Sequence, residues 1–191
     1  MAEVLLFHHV LGLTPGVMAF ADSLRAAGHV VRAPDLFDGR RFDTIEAGAA
    51  HVDAIGMDQV IARGVAAADG SLAGTVCAGF SLGVVPAQYL AQTQPGVSGA
   101  LLIEACLPPT EFGVAWPPGL AAQVHGMSAD PFFAGEGDLD AARALAEEHT
   151  QVQLFLYDGS GHLFAEPGGP SFDPPAAALL LERVLAFLAD R

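Results

Sequence analysis

The amino-acid sequence predicts an α/β fold: a mainly parallel sheet of about six or seven strands with helices on both faces. Short apolar runs alternate with amphipathic helical segments along the 191 residues. This alternation is typical of strand–helix–strand units, which build parallel sheets. The chain has no internal repeat, no low-complexity segment and no evident linker, and its length is ordinary for one domain. We therefore expect residues 1–191 to form a single domain.

The first half of the chain carries clear signals for where elements begin and end. A first strand is predicted over residues 4–7. Thr14 and Pro15 are typical of an N-cap followed by a proline in the first helical turn, and Gly28 is typical of a helix end. The other elements predicted here are a strand over 29–33, a helical stretch over 44–68 that breaks near Gly56, and an apolar strand over 73–80.

The second half continues the alternation of strands and helices. A helix is predicted to run to about Gln94, where Pro95-Gly96 stops it. Asp138 is predicted to cap a further helix, and Pro174-Pro175 to open the last one. The predicted strands between these helices cover residues 99–105, 121–126 and 151–157.

A Gly-x-Ser-x-Gly turn over residues 79–83 lies between a predicted strand and a predicted helix. A turn of this kind holds its serine in a strained backbone conformation, with the hydroxyl exposed at the end of the sheet. Glycine is needed two residues to either side because strand and helix approach too closely there for a Cβ atom. Ser81 is therefore the candidate nucleophile.

A serine nucleophile needs a histidine base, and the base needs a carboxylate that orients it. In proteins with this turn the chain order is serine, acid, histidine. His162 lies in a glycine-rich loop after the last predicted strand, and Asp130 follows the strand before it, next to Pro131. His149 is also late in the chain, but it lies at a helix end and we discount it. Ser81, Asp130 and His162 are thus the candidate catalytic residues.

Backbone N–H groups near Ser81 are candidates for an oxyanion hole. The amide of Leu82, the residue after the nucleophile, lies at the N-terminus of its helix, where donors point at an anion. The second donor is expected from the loop after the first strand, near Val10. Both loops follow strand carboxyl ends, where parallel sheets bind their ligands.

The Ser81 turn, the Asp130 loop and the stretch Gly161-His162-Leu163-Phe164 together resemble the dienelactone hydrolase family of α/β-hydrolases. Residues 8–13 (HHVLGL) and 33–37 (APDLF) are similar to two further family stretches, so the resemblance covers nearly the whole chain. It implies a compact α/β-hydrolase fold with no cap domain and no cofactor.

The candidate triad and the resemblance together predict a serine hydrolase that cleaves a small carboxylic ester or lactone through an acyl-enzyme. Two alternatives remain open. One is a catalytically inactive hydrolase fold that serves as a binding module. The other is a thioesterase or acyltransferase, because the same groups serve those reactions.

The sequence departs from the founding family members at three positions. Those enzymes have a cysteine nucleophile where this chain has Ser81, and a glutamate that helps to activate the cysteine where this chain has His9. They carry an arginine that holds a substrate carboxylate four residues after the catalytic histidine, where this chain has Glu166. We expect Glu166 near the mouth to repel an acidic substrate unless Arg40 or Arg41 compensates.

Glu104 interrupts an apolar run near a strand end, where an unpaired carboxylate is costly to bury. We expect it to reach either the cleft or an internal partner, and we favour a role as a partner of His8 or His9 over a direct catalytic role. A metal site of these three residues is disfavoured, because adjacent histidines on a strand point to opposite faces. Trp116 and Phe112 are expected either to line an apolar pocket for the acyl group or to pack in the core without a role in binding. The candidate substrate-binding residues are His9, Arg40, Arg41, Glu104, Trp116, Phe164 and Glu166.

Composition narrows the classes of partner. The formal net charge is −14 and the chain contains no lysine, which argues against nucleic acid and anionic membranes as partners and against Walker-type or Schiff-base chemistry. No apolar run reaches a membrane span, and the N-terminus is unlike a signal peptide. Cys77 and Cys106 are expected to be buried free thiols in a cytoplasmic protein. We expect a monomer or homodimer.

Overall fold

The computed structural model describes all of residues 1–191 and contains one sheet of six strands, every neighbouring pair of which is parallel. The strand order is β2-β1-β3-β4-β5-β6. The predicted mainly parallel sheet is confirmed. The strands are β1 (Glu3–Phe7), β2 (Val30–Arg32), β3 (Thr75–Phe80), β4 (Gly99–Ile103), β5 (Ala122–Met127) and β6 (Val152–Tyr157).

Six α-helices cover the two faces of this sheet. One face carries α2 to α5, whose buried side chains join one apolar cluster. The other face carries α1 and α6, which form a second cluster with the alternate side chains of the strands. No segment forms a separate cap domain. The helices are α1 (Pro15–Ala26), α2 (Ile45–Ile55), α3 (Met57–Ala67), α4 (Val84–Thr93), α5 (Asp138–Glu148) and α6 (Pro174–Ala189).

Most helix boundaries follow the local signals in the sequence. The Thr14 side chain caps α1 by accepting a hydrogen bond from the amide of Val17. Gly56, with a φ of 84°, separates α2 from α3. Asp173 caps α6 through the amide of Ala176. These caps are local interactions between near neighbours, which is why sequence patterns predict them well.

Two expectations about boundaries were wrong. Asp138 is not the N-cap of α5: Gly137 holds that position, and the Asp138 carboxylate instead accepts a hydrogen bond from the amide of Cys106 at 3.1 Å. The fourth strand ends at Ile103 rather than at residue 105, because Glu104 adopts a left-handed conformation with a φ of 65°. Both differences bring carboxyl groups towards the end of the sheet.

The turn after β3 is built on two close backbone contacts. A Cβ atom on Gly79 would lie 2.1 Å from the carbonyl oxygen of Gly83, and a Cβ on Gly83 would lie 2.4 Å from the carbonyl oxygen of Phe7. Ser81 between them has a φ of 47° and begins a single 3₁₀ turn that leads into α4. Glycine is required at both positions by steric contact, as the sequence predicts.

Cys77 and Cys106 are buried free thiols. None of the helices combines the length and apolar character of a membrane-spanning helix.

Replacing Gly79 with alanine should prevent the turn from forming. The added methyl group would lie 2.1 Å from backbone that has no room to move. We expect a loss in the free energy of unfolding of about 3 kcal/mol or more, or no soluble protein. Urea unfolding followed by circular dichroism measures it.

Gly119→Ala is the matched control. Gly119 has a φ of 80° and no atom lies within 4 Å of its added Cβ, so the cost should be only the backbone strain of about 1–2 kcal/mol. Equal losses in the two variants would contradict the steric explanation.

Candidate active site

Ser81 stands at the carboxyl end of β3, directly after the last strand residue. Its positive φ is rare for a residue with a side chain and marks local backbone strain. The hydroxyl Oγ lies 2.8 Å from Nε2 of His162. The turn therefore presents the hydroxyl to a ring that comes from a loop 81 residues further along the chain.

Two further loops at the same end of the sheet complete a hydrogen-bonded chain. His162 follows β6, and its Nδ1 lies 2.7 Å from Oδ2 of Asp130, which follows β5. The other oxygen of Asp130 accepts the amide of Phe132 at 2.9 Å. Because ionised Asp130 only accepts, Nδ1 carries the ring proton and the Ser81 hydroxyl donates to Nε2. The structure thus brings together the three side chains that the sequence singled out.

The surroundings of His162 change its affinity for a proton. Burial alone lowers the pKa of His162, but the hydrogen bond that its Nδ1 donates to Asp130 and the nearby carboxyl groups of Glu104 and Asp130 outweigh it, so the pKa lies above its ordinary value. The Phe132 ring packs against the imidazole with centroids 4.7 Å apart. The imidazole is thereby a stronger base than a free histidine and is held in one orientation.

The candidate oxyanion donors lie beside Ser81. Leu82 and Val10 both line the cleft that contains the Ser81 hydroxyl. The Val10 amide has no acceptor elsewhere in the backbone, so it is free to donate. Gly48 of α2 packs against the Val10 carbonyl, where a Cβ would lie 2.3 Å from the oxygen. This contact restricts how the loop after β1 can lie.

The cleft above Ser81 has a volume of about 500 Å³. Its walls are mostly apolar, and α2, α3 and the loops after β4 and β5 supply them. Four carboxyl side chains and His162 line it, and no arginine does. The lining residues are Val10, Ile45, Ala49, Val52, Asp53, Met57, Ser81, Leu82, Val85, Glu104, Ala105, Leu107, Phe132, Glu136, Asp138 and His162.

A family model for the dienelactone hydrolase family matches residues 1–191. The chain belongs to the dienelactone hydrolase family. The resemblance noted from the sequence motifs is confirmed over the whole chain.

Solved structures of similar fold include a dienelactone hydrolase-like protein and an esterase. A dienelactone hydrolase-like promiscuous phosphotriesterase, P91, from metagenomic libraries shares 19% identity with a TM-score of 0.82, over 100% of this chain and 86% of that one. Esterase 2 of Thermogutta terrifontis shares 16% identity with a TM-score of 0.66, over 99% and 83% of the two chains. At such identities these similarities show the fold alone. No curated protein matches the chain.

Glu166 takes the position of the family's arginine, but it does not lie at the mouth of the cleft as we expected. It is 7% exposed, its Oε2 lies 3.0 Å from Nε2 of His9, and its other oxygen accepts the hydroxyl of Thr14. The contact with His9 has the distance of an ion pair but not the angle of a hydrogen bond. Glu166 therefore cannot repel a substrate directly.

The Glu166 cluster, defined as His9, Thr14 and Glu166, connects two loops of the site. Thr14 begins α1 after the loop that carries Val10, and Glu166 lies in the loop that carries His162. Burial raises the pKa of Glu166, but the His9 ring and the Thr14 hydroxyl outweigh it, and the pKa lies below its ordinary value. His9, a candidate substrate-binding residue, is buried in this cluster instead of facing the cleft.

His8 and His9 point in different directions, as expected for neighbours at a strand end. His8 Nδ1 donates to the His9 carbonyl and Nε2 accepts the amide of Leu36. Burial lowers the pKa of His8 to about 4, so it is neutral. No three histidine, cysteine, aspartate or glutamate side chains of this chain are grouped to hold a metal ion.

Four other candidates for substrate contact lie away from the cleft. Arg40 and Arg41 are exposed on their loop and do not line it. Trp116 is buried and donates through Nε1 to the carbonyl of Leu120, so packing explains it. Phe164 is fully buried against Tyr157, on the face that carries α1 and α6. Phe112, named beside Trp116, packs on Tyr89.

Glu104 does line the cleft, but its expected partner was wrong. It contacts neither His8, whose ring nitrogens are occupied, nor His9, which faces Glu166. Its charge instead acts on His162 and Asp130.

Sequence reasoning missed the cleft walls from α2 and α3 and the carboxyl groups of Asp53, Glu136 and Asp138. One signal was present: α2 buries only Gly48 and Val52 although its sequence is largely apolar, and an apolar surface left exposed often marks a ligand site.

Glu166→Gln should lower the free energy of unfolding by about 1–3 kcal/mol at pH 7, because it leaves the buried His9 ring without its charged partner. The pKa of Glu166 is depressed in the folded protein, so its stabilisation is present above the unfolded pKa and is lost as pH falls through the folded one. The difference between the variant and the wild type should therefore shrink in acid. Urea unfolding at several pH values measures it.

Glu182→Gln is the control, because Glu182 is exposed on α6 and its loss should cost less than about 0.5 kcal/mol. If Glu166→Gln is as mild as this control at pH 7, the cluster does not stabilise the fold.

Proposed function

We propose that this protein is a serine hydrolase that cleaves a carboxylic ester or lactone through an acyl-enzyme. The observation that carries the proposal is the continuous hydrogen-bonded chain from Ser81 through His162 to Asp130, with distances of 2.8 and 2.7 Å. A serine hydroxyl becomes a useful nucleophile only when a base can take its proton in this way.

The reaction follows from the arrangement of these atoms. The Ser81 oxygen attacks the carbonyl carbon while its proton moves to Nε2 of His162. Asp130 stabilises the imidazolium, which then gives the proton to the departing alkoxide as the ester bond breaks. Water, deprotonated by the same ring, attacks the acyl-enzyme, and the proton returns to Ser81 as the acid leaves. In a lactone the departing oxygen stays attached to the acyl group.

The charge that develops on the carbonyl oxygen needs donors fixed in advance. In this proposal they are the amides of Leu82 and Val10, which lie at the N-terminal turn before α4 and in the loop after β1. One such donor is worth on the order of 10²–10³ in kcat where it has been removed in other enzymes.

Family membership and the esterase among the similar structures support hydrolysis. A thioesterase or an acyltransferase that works through an acyl-enzyme would use the same groups. No contact in the cleft favours those reactions over ester cleavage. A role as a binding module alone would give no reason for a strained serine with a base aligned on it.

The lining of the cleft favours an uncharged substrate. An apolar wall suits a short acyl or alkyl group, and a volume of about 500 Å³ suits a small molecule. A substrate carboxylate would meet the carboxyl groups of Asp53, Glu136 and Asp138 with no arginine to pair with it. Lactones that carry a carboxylate are therefore poor substrate candidates. The reason is the carboxyl groups of the cleft and not Glu166, which was expected to repel such substrates.

Ser81→Ala should abolish ester turnover while the fold persists. The expected loss in kcat for a p-nitrophenyl ester is on the order of 10⁵-fold or more, because nucleophile and base act as a unit. A fluorophosphonate probe should label the wild type at Ser81 and leave the variant unlabelled, as mass spectrometry of tryptic peptides would record.

Ser160→Ala is the matched control, because Ser160 is exposed in the His162 loop and the hydroxyl that hydrogen-bonds the ring is that of Ser81. It should label and turn over as the wild type does. Folded wild-type protein that neither labels nor cleaves any ester or lactone in a broad screen would instead support a binding role.

Within one ester series, the neutral member should be preferred over the carboxylate. We expect kcat/KM for p-nitrophenyl butyrate to exceed that for p-nitrophenyl hemisuccinate by about tenfold or more, and the gap to narrow with added salt. The double variant Asp53→Asn/Glu136→Gln should also reduce the difference in kcat/KM between the two esters, because both side chains line the cleft.

Glu147→Gln is the control, because it removes an exposed carboxylate of α5 that lies outside the cleft. It should leave the ratio of kcat/KM for the two esters unchanged. A preference for the hemisuccinate would reject the charge argument.

A further inference from the structure

One buried carboxyl at the site has no part in the mechanism above. Glu104 directly follows β4, the strand that lies between β3 and β5, so it sits between the loops of Ser81 and Asp130. The residue is 1% exposed and neither side-chain oxygen meets the geometry of a hydrogen bond, although the amides of Phe164 and Ala165 lie near enough to favour its charged form. An unpaired carboxylate at such depth is among the most costly groups a protein can bury.

The backbone around Glu104 is strained in the same way as that of the nucleophile. Glu104 has a φ of 65°, and Leu163, which follows His162, has a φ of 61°. With Ser81 these are three of the four residues other than glycine that have a positive φ in the chain. Strained residues persist only where their surroundings hold them, and they gather at functional sites.

The groups that face Glu104 come from three neighbouring elements. His162 and the amides of Phe164 and Ala165 belong to the loop after β6, and all three favour the charged carboxylate. Asp130, after β5, opposes it. Asp138 at the start of α5 acts on the same His162 ring, while Ser81 is the uncharged neighbour across the cleft. Burial is the largest influence, and it raises the pKa of Glu104 to about 8.

We propose that Glu104 is a positioning residue for His162, a second carboxyl in the cleft that His162 also lines, which supports the imidazolium when ionised. In the resting site burial disfavours a charge on Glu104, and the nearby carboxyl of Asp130 adds to this effect. Glu104 therefore keeps its proton near neutral pH, and His162 stays free to act as a base.

Ionised Glu104 changes the strength of the base without joining the reaction. As pH rises Glu104 gives its proton to solvent, and the new negative charge stabilises the imidazolium that forms when Ser81 transfers its proton to Nε2. No bond beyond those of acyl transfer forms or breaks. The Glu104 oxygens have no exposed surface and so make no contact with substrate, which means that kcat should respond and KM should not.

This inference rests on the proposed hydrolase function, and two measurements separate its failure from the failure of that function. The first is the pH dependence of ester hydrolysis by the wild type and by Glu104→Gln, which keeps the shape of the side chain and removes its proton equilibrium. We expect the wild-type kcat to rise through a second step near pH 8, to roughly three- to tenfold above the variant. On the acid side of this step, where Glu104 is protonated, the profiles of the wild type and the variant should coincide.

Glu166→Gln is the matched control. It replaces another buried carboxyl of the site, one that contacts His9 instead of His162. It should keep both steps of the wild-type pH profile even if it lowers stability. Superimposable profiles for the wild type and Glu104→Gln, with only the melting temperature changed, would reduce Glu104 to a structural residue and overturn the inference.

The second measurement needs neither activity nor a variant that folds. In the wild type labelled with ¹³C at the glutamate carboxyl, one buried signal should titrate near pH 8 and the imidazole signals of His162 should move with it. A wild type without esterase activity that still shows this coupled titration would leave the pairing intact and remove the proposed reaction. If every glutamate carboxyl is already ionised at pH 7, the inference is wrong.

Discussion

The close approach of β3 and α4 at Ser81 is the constraint on which the site depends. Strand and helix meet with backbone atoms where side chains would otherwise lie, and Gly79 and Gly83 are the residues that allow it. Gly83 also lies against the carbonyls that end β1, so the same contact fixes the first loop relative to the nucleophile. Hydroxyl, helix N-terminus and the candidate oxyanion donor of Val10 are thereby set by one packing contact.

The second feature of the site is a set of buried histidine and carboxyl side chains, most of which are paired. Two histidine–carboxylate pairs lie on the loops at the end of the sheet: His162 with Asp130, and His9 with Glu166. The first pair includes the ring that contacts Ser81. The second pair connects the loop after β1 to the loop after β6. Glu104 has no partner, and burial raises its pKa instead. Pairing and neutralisation are the two ways in which a protein tolerates buried charge.

The cleft combines an apolar wall with carboxyl groups and lacks any arginine. In the founding family members an arginine after the histidine holds a substrate carboxylate, and the matching residue here, Glu166, has turned inward to a histidine. Glu166 thus connects two loops of the site and does not line the cleft.

The sequence by itself determined the fold, the family, the turn at Ser81 and the three candidate catalytic side chains, because each rests on a local pattern or on strand order. Caps such as Thr14 and the glycines of the turn act over a few residues, and carboxyl ends of parallel strands must meet at one edge. Which way a loop side chain turns was decided only by the tertiary structure. Glu166 pairs with His9 and Thr14, which are distant in the chain, Glu104 is buried without a partner, and Arg40 lies in solvent. Burial and pairing of this kind depend on neighbours that no local pattern specifies.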